Sequence, residues 1–102
     1  MNLTLEQRNR FEKEGYLFFP SLFSQEEVQY LVATVPELYE RREEYNYREK
    51  KGNVVRTNFA AHLYSKPFAK LARHPRMIKP VEDLLQENLY MHQFKINGKM
   101  AF

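Results

Sequence analysis

Gln93, Lys95 and Asn97 alternate with Phe94 and Ile96 along the run Leu89-Tyr90-Met91-His92-Gln93-Phe94-Lys95-Ile96-Asn97. In an extended chain successive side chains point to opposite faces. The three polar groups therefore share one face, and Tyr90, His92, Phe94 and Ile96 share the other. A lysine supplies a positive charge, and each amide offers a donor and an acceptor. Inside a barrel or sandwich this set suits a small dicarboxylate or keto acid. The same alternation also describes a half-exposed strand whose polar side faces water. Arg56, between Val55 and Thr57 on a second extended stretch, can grip a carboxylate through two parallel hydrogen bonds or serve as a surface ion-pairing residue.

Other chemistries find little support. The chain has no cysteine, which excludes disulfides, thiol catalysis and cysteine-bound zinc. His62, His74 and His92 share no metal-binding spacing, and neither H-x-D nor H-E-x-x-H occurs. His74, before Pro75, reads as a loop residue, and His92 as a core histidine or one packed behind a site. Three glycines are too few for a phosphate-cradling loop. The net charge is +3, but the densest charged run, from Glu40 to Lys51, mixes both signs. That pattern marks a solvated face rather than a nucleic-acid surface. The first 14 residues are charged and carry no secretory signal. No apolar stretch approaches the roughly 20 residues that span a bilayer. The expectation is a cytoplasmic protein with a small-molecule partner, no nucleic acid and no membrane, its oligomeric state left open.

The elements that position these residues follow from capping and periodicity. Thr4 and Gln7 have the capping-box spacing, predicting a helix over Leu5 to Glu14 that Gly15 ends, with Leu5 and Phe11 inward. Tyr16-Leu17-Phe18-Phe19 reads as a short buried strand stopped by Pro20. Ser24 and Glu27 form a second capping box. Behind it Val28, Leu31, Val32, Val35, Leu38 and Tyr39 recur at helical spacing, and Pro36 should kink or split that helix. The charged run after Glu40 extends this helix or forms a loop that Gly52-Asn53 ends. Val54 to Phe59 reads as a strand. Ser65 caps a short helix with Pro67 in its first turn, reaching about Arg73. A further helix covers Pro75 to Gln86, with Met77, Ile78, Val81, Leu84 and Leu85 inward. Pro80 sits mid-pattern, which also allows a start at Lys79. The strand over Leu89 to Asn97 comes last. Gly98 permits a bend, and Lys99-Met100-Ala101-Phe102 would continue the sheet.

Four stretches resemble the phytanoyl-CoA dioxygenase superfamily, within it the bacterial ectoine-hydroxylase-like branch. They are Leu5 through Leu17 with its Gly15-Tyr16 pair, Leu22-Phe23-Ser24-Gln25-Glu26-Glu27-Val28, the pair Val55-Arg56-Thr57-Asn58-Phe59-Ala60-Ala61-His62 and Arg73-His74-Pro75-Arg76, and Met91 to Asn97. Capped helices are common. The Arg-Thr-x-Phe, Arg-His-Pro and His-Gln-Phe-Lys-Ile-Asn runs, in that order, are much more specific.

The resemblance implies an α+β fold: the N-terminal helices and first strands of a double-stranded β-helix (jelly-roll or cupin-like) dioxygenase, incomplete. Residues 1–102 would be the N-terminal portion of a single domain, ending before the metal-binding motif. It implies Fe(II) and 2-oxoglutarate as cofactors of the complete enzyme, with neither bound to these residues alone. In the family an H-x-D pair and a later His hold the iron, and they would follow Phe102, so no metal ligand is expected here. Gln93 and Asn97 match positions that look like cosubstrate contacts, Lys95 lies on their face, and Arg56 would shape the substrate side. The implied activity is hydroxylation of a small organic substrate. Decarboxylation of 2-oxoglutarate to succinate would be coupled to it, and these residues would be inactive alone. The alternative is a small, non-enzymatic helical protein-interaction domain.

Overall fold

The structure is a computed structural model that describes residues 3–99. Its elements run α1 (Leu5–Glu14), α2 (Gln25–Glu40), β1 (Asn46–Arg48), β2 (Val55–Phe59), a single 3₁₀ turn (Ala61–Leu63), α3 (Lys66–Ala72), α4 (Pro75–Leu85) and β3 (Lys95–Asn97). Both capping boxes form. The Thr4 hydroxyl accepts from the Gln7 N–H while the Gln7 side chain accepts from the Thr4 N–H, and Ser24 and Glu27 do the same. Gly15, at φ 81°, closes α1 and donates back to the Phe11 carbonyl. Such a left-handed position carries little penalty without a Cβ.

Helix α2 runs unbroken through Pro36, where a kink or split was expected. The ring is exposed, so the one hydrogen bond it removes lies near solvent. The opposite face of α2 buries Leu38, which clusters with Ala61 and Phe68. Leu31, Val35, Phe94 and Ile96 pack around them. Leu5, expected inward, is exposed; α1 is held instead by Leu3, which is buried and donates its N–H to Asp83, and by the Arg8–Asp83 ion pair. Helix α4 starts at Pro75 and not at Lys79, with Pro80 buried inside it.

The three strands form an antiparallel sheet in the order β1-β2-β3. Strand β1 lies within the charged run read as helix or loop. Its cause is the end of α2, whose last turn carries no basic residue of its own and leaves carbonyls needing donors. Asn46 donates to the carbonyls of Leu38 and Arg41, and Arg48 to those of Tyr39 and Arg41. Two residues two apart thus cap the helix and fix an extended segment beside it. The turn to β2 uses Gly52 and Asn53, both with positive φ.

Two stretches expected as strands are not strands. Tyr16 to Phe19 forms no strand, and Tyr16 and Phe18 are exposed; Leu89 to Phe94 is irregular, with pairing confined to Lys95–Asn97. Both carry apolar sequence, but a strand exists only where a neighbour takes its hydrogen bonds. Among the described residues neither Tyr16 to Phe19 nor Leu89 to Gln93 has that neighbour, and only the Phe94 carbonyl, next to β3, accepts from the Ala60 N–H. The expected continuation through Met100, Ala101 and Phe102 lies outside the described residues. No helix among them is long and apolar enough to cross a membrane.

Candidate functional site

The β2–β3 pairing decides which polar side chains meet. Thr57 lies opposite Asn97 and Phe59 opposite Lys95. The Thr57 hydroxyl donates to Asn97 Oδ1 at 3.1 Å, and the Lys95 ammonium sits 5.6 Å from the Phe59 ring centroid. Because Asn97 uses its oxygen to accept from Thr57, its amide N–H groups remain free to donate outward. The two lysine and asparagine positions read from the sequence therefore share one outer face, joined by Thr57. Cross-strand register reveals Thr57; the sequence marked only its neighbour Arg56.

Gln93 lies two residues before Lys95 in irregular chain and is exposed, as are Lys95 and Asn97. Gln93 and Lys95 border a groove of about 970 Å³ between α3, α4 and the segment leading to β3. Arg56 is not brought to this face. It alternates with Thr57 onto the other side of β2, where its Nε lies 3.9 Å from Glu49. His92, read as a core histidine, is exposed. His74 is the N-cap of α4, its Nδ1 accepting from the Arg76 N–H.

Behind this face the sheet is built on buried polar groups. Asn58 is fully buried and donates to Asn46 Oδ1 at 2.6 Å, while the Tyr64 hydroxyl donates to Asn58 Oδ1 at 2.7 Å. Tyr64 stacks on Tyr45 with ring centroids 3.9 Å apart. Burial pushes the Tyr64 hydroxyl above its ordinary pKa, partly offset by its bond to Asn58. A second cluster joins the start of α2 to the start of α4. Arg76 binds both Glu27 oxygens and the Leu22 carbonyl, with its guanidinium 4.5 Å from the Phe23 ring centroid. The Arg76 hydrogen bond, with that of the Ser24 backbone, holds the Glu27 carboxyl down to about 2. Glu27 in turn raises the Arg76 pKa. These clusters position the elements they join.

No family model matches the chain. Over 105 residues, 98% of this chain, it is 34% identical to the ectoine dioxygenase of Bordetella bronchiseptica. Over 104 residues it is 31% identical to the ectoine dioxygenase of Halomonas elongata. Along nearly its whole length the chain is therefore similar to ectoine dioxygenases. Among solved structures, it matches EctD from S. alaskensis with bound Fe at a TM-score of 0.85, and the same protein with 2-oxoglutarate and 5-hydroxyectoine at 0.83. Both matches are 26% identical in sequence and cover 93% of this chain.

The chain spans about a third of these relatives: 34% of the Bordetella protein, 31% of the Halomonas protein and 35% of the EctD chains. Helices beside a small sheet correspond to part of that larger cupin-like dioxygenase fold, as the α+β expectation had it. Among the described residues no group of three His, Cys, Asp or Glu side chains is placed to hold a metal ion. The described residues by themselves do not fit an iron centre.

Proposed function

We propose that this chain is the N-terminal third of an Fe(II)/2-oxoglutarate-dependent hydroxylase acting on a small organic substrate, and that residues beyond Phe102 hold the iron. The likeness to ectoine dioxygenases along 98% of the chain carries this reading. The outer face of β2 and β3 supports it. Lys95 offers a charge for a carboxylate, Asn97 offers free amide N–H groups, and Gln93 adds a donor and an acceptor beside them. These three residues would hold and orient 2-oxoglutarate, whose oxidative decarboxylation to succinate and carbon dioxide would take one oxygen atom of dioxygen at the iron and leave the other for hydroxylation of the substrate. Thr57 acts on the cosubstrate only through Asn97. Arg56, on the far face beside Glu49, has no part in holding the cosubstrate. Ectoine-like solutes are the first substrates to test. A cytoplasmic location belongs to the proposal, and the absence of cysteine agrees with a reducing compartment.

The test has two arms. Incubated with iron, 2-oxoglutarate and ectoine, residues 1–102 should release no succinate, and turnover by this chain would overturn the reading. Extended by the remaining two thirds of the Bordetella bronchiseptica ectoine dioxygenase, it should bind 2-oxoglutarate, and Lys95→Met should weaken that binding roughly tenfold. Affinity unchanged by Lys95→Met removes the cosubstrate role.

A further inference from the structure

We infer that Asn97-Gly98 is a site of spontaneous modification, at which water converts the Asn97 amide to a carboxylate, and that the β2–β3 pairing sets its rate. The modification stands on its own geometry. Its effect on a bound cosubstrate rests on the hydroxylase reading.

Three observations carry it. Of the chain's asparagines only Asn97 is followed by glycine, whose missing Cβ leaves its backbone nitrogen open to the preceding side chain. Asn97 is exposed, and among the described residues β3 pairs with β2 alone, at the edge of the sheet. The fold itself sets this pair of residues side by side. A Cβ at residue 98 would sit 3.0 Å from the Val55 carbonyl oxygen, and Asn97 supplies the acceptor that the Thr57 hydroxyl uses.

The Gly98 nitrogen attacks Asn97 Cγ. The N–Cγ bond forms, the Cγ–Nδ2 bond breaks, and the Gly98 amide proton leaves with the side-chain nitrogen as ammonia. Water then opens the five-membered imide at either carbonyl, giving aspartate or isoaspartate, with no oxidant or reductant consumed. In the paired strand the reacting atoms are held apart. The Gly98 N–H donates to the Arg56 carbonyl at 2.9 Å, and the Thr57 hydroxyl holds Asn97 Oδ1 at 3.1 Å. Ring closure takes Asn97 out of the extended conformation, so it follows local opening of a three-residue edge strand. Aspartate sets a carboxylate on the face that residue 97 shares with Lys95. Isoaspartate lengthens the main chain and breaks the register with Thr57. Either product works against the binding of a carboxylate ligand at Lys95.

The 102-residue chain, aged in warm neutral buffer, tests this. Trypsin frees residues 96–99, mass spectrometry reads the conversion, and an isoaspartate methyltransferase counts the rerouted product. Asn97 should convert before every other asparagine. It should convert roughly tenfold faster in denaturing guanidinium than in the native chain. Thr57→Val should speed native conversion roughly threefold, and Thr57→Ser should keep the parent rate. Another asparagine converting first overturns the inference, as does a rate indifferent to denaturant or to Thr57→Val. In the chain extended by the rest of the Bordetella bronchiseptica relative, Asn97→Asp should weaken 2-oxoglutarate binding by roughly tenfold or more. Undiminished binding there sinks the cosubstrate role of Asn97 and leaves the modification site standing.

Discussion

Asn58 donates to Asn46 Oδ1 at 2.6 Å, and Asn46 places both its amide hydrogens on the carbonyls of Leu38 and Arg41. The end of α2, strand β1 and strand β2 are thereby tied through two side chains. Asn58 is fully buried and Asn46 nearly so. Asn58→Leu keeps the branched skeleton of four heavy atoms but leaves Asn46 Oδ1 unpaired and takes one of the two acceptors from the Tyr64 hydroxyl. The expected cost is about 1–3 kcal/mol, read by urea denaturation. A loss below 0.5 kcal/mol, within the range of ordinary surface substitutions, would show that the pair does not carry the junction.

This junction also marks where the sequence stopped being legible. Helices α1, α2 and α4 and strand β2 were readable because their caps and apolar spacing are local signals. Strand β1 was hidden. Glu43, Glu44, Arg48 and Glu49 give its neighbourhood the composition of a solvated helix, and only the distant carbonyls of α2 explain why Asn46 and Arg48 lie extended. Tyr16 to Phe19 and Leu89 to Phe94 failed in the opposite sense. Their composition favours strands, but pairing is a property of two segments, and among the described residues no second segment pairs with Tyr16 to Phe19 or with Leu89 to Gln93. Of the candidate site, the shared face of Lys95 and Asn97 followed from alternation. Thr57 did not, because cross-strand partners depend on register.

The Arg76–Glu27 pair makes the α2–α4 contact sensitive to acid. The Glu27 carboxyl is held from an ordinary 4.5 down to about 2, so the folded state binds its proton more weakly than the unfolded chain does. Its stabilising contribution is complete above pH 4.5 and is lost as pH falls towards 2. Glu27→Gln keeps the capping box, since an amide oxygen also accepts from Ser24, but removes the charge. Stability measured by denaturant from pH 6 to pH 2 should fall less steeply in this variant than in the parent. Parallel slopes would show that other carboxylates govern the acid response.

Thr57 and Asn97 should act as one unit towards 2-oxoglutarate. In the extended protein, Thr57→Val removes the hydroxyl that orients the Asn97 amide at 3.1 Å, and a loss of roughly 5- to 10-fold in cosubstrate affinity is expected. Asn97→Ala should lower affinity by a similar factor. Combined, the two should cost little more than either alone, because they remove the same interaction. Thr57→Ser, which retains the hydroxyl, should restore binding. Full additivity in calorimetric titrations would mean that Thr57 does not position Asn97.

Gly98 sets how closely the chain leaving β3 can lie on β2. Its N–H donates to the Arg56 carbonyl at 2.9 Å, and a Cβ built there would sit 3.0 Å from the Val55 carbonyl oxygen and 3.6 Å from the Tyr39 hydroxyl. The nearest atom is backbone, so the contact cannot be relieved by turning a side chain. Gly98→Ala must therefore push the end of β3 away from β2, lengthening the Gly98–Arg56 hydrogen bond and disturbing the Thr57–Asn97 register beside it. The expected destabilisation is about 1–3 kcal/mol, with faster amide exchange at Gly98 and at its neighbours in β3. In the extended protein the same substitution should weaken 2-oxoglutarate binding although residue 98 offers no side chain to the ligand. If exchange at Gly98 stays at the parent rate while the fold is destabilised elsewhere, the close approach of these two strands is not what glycine provides.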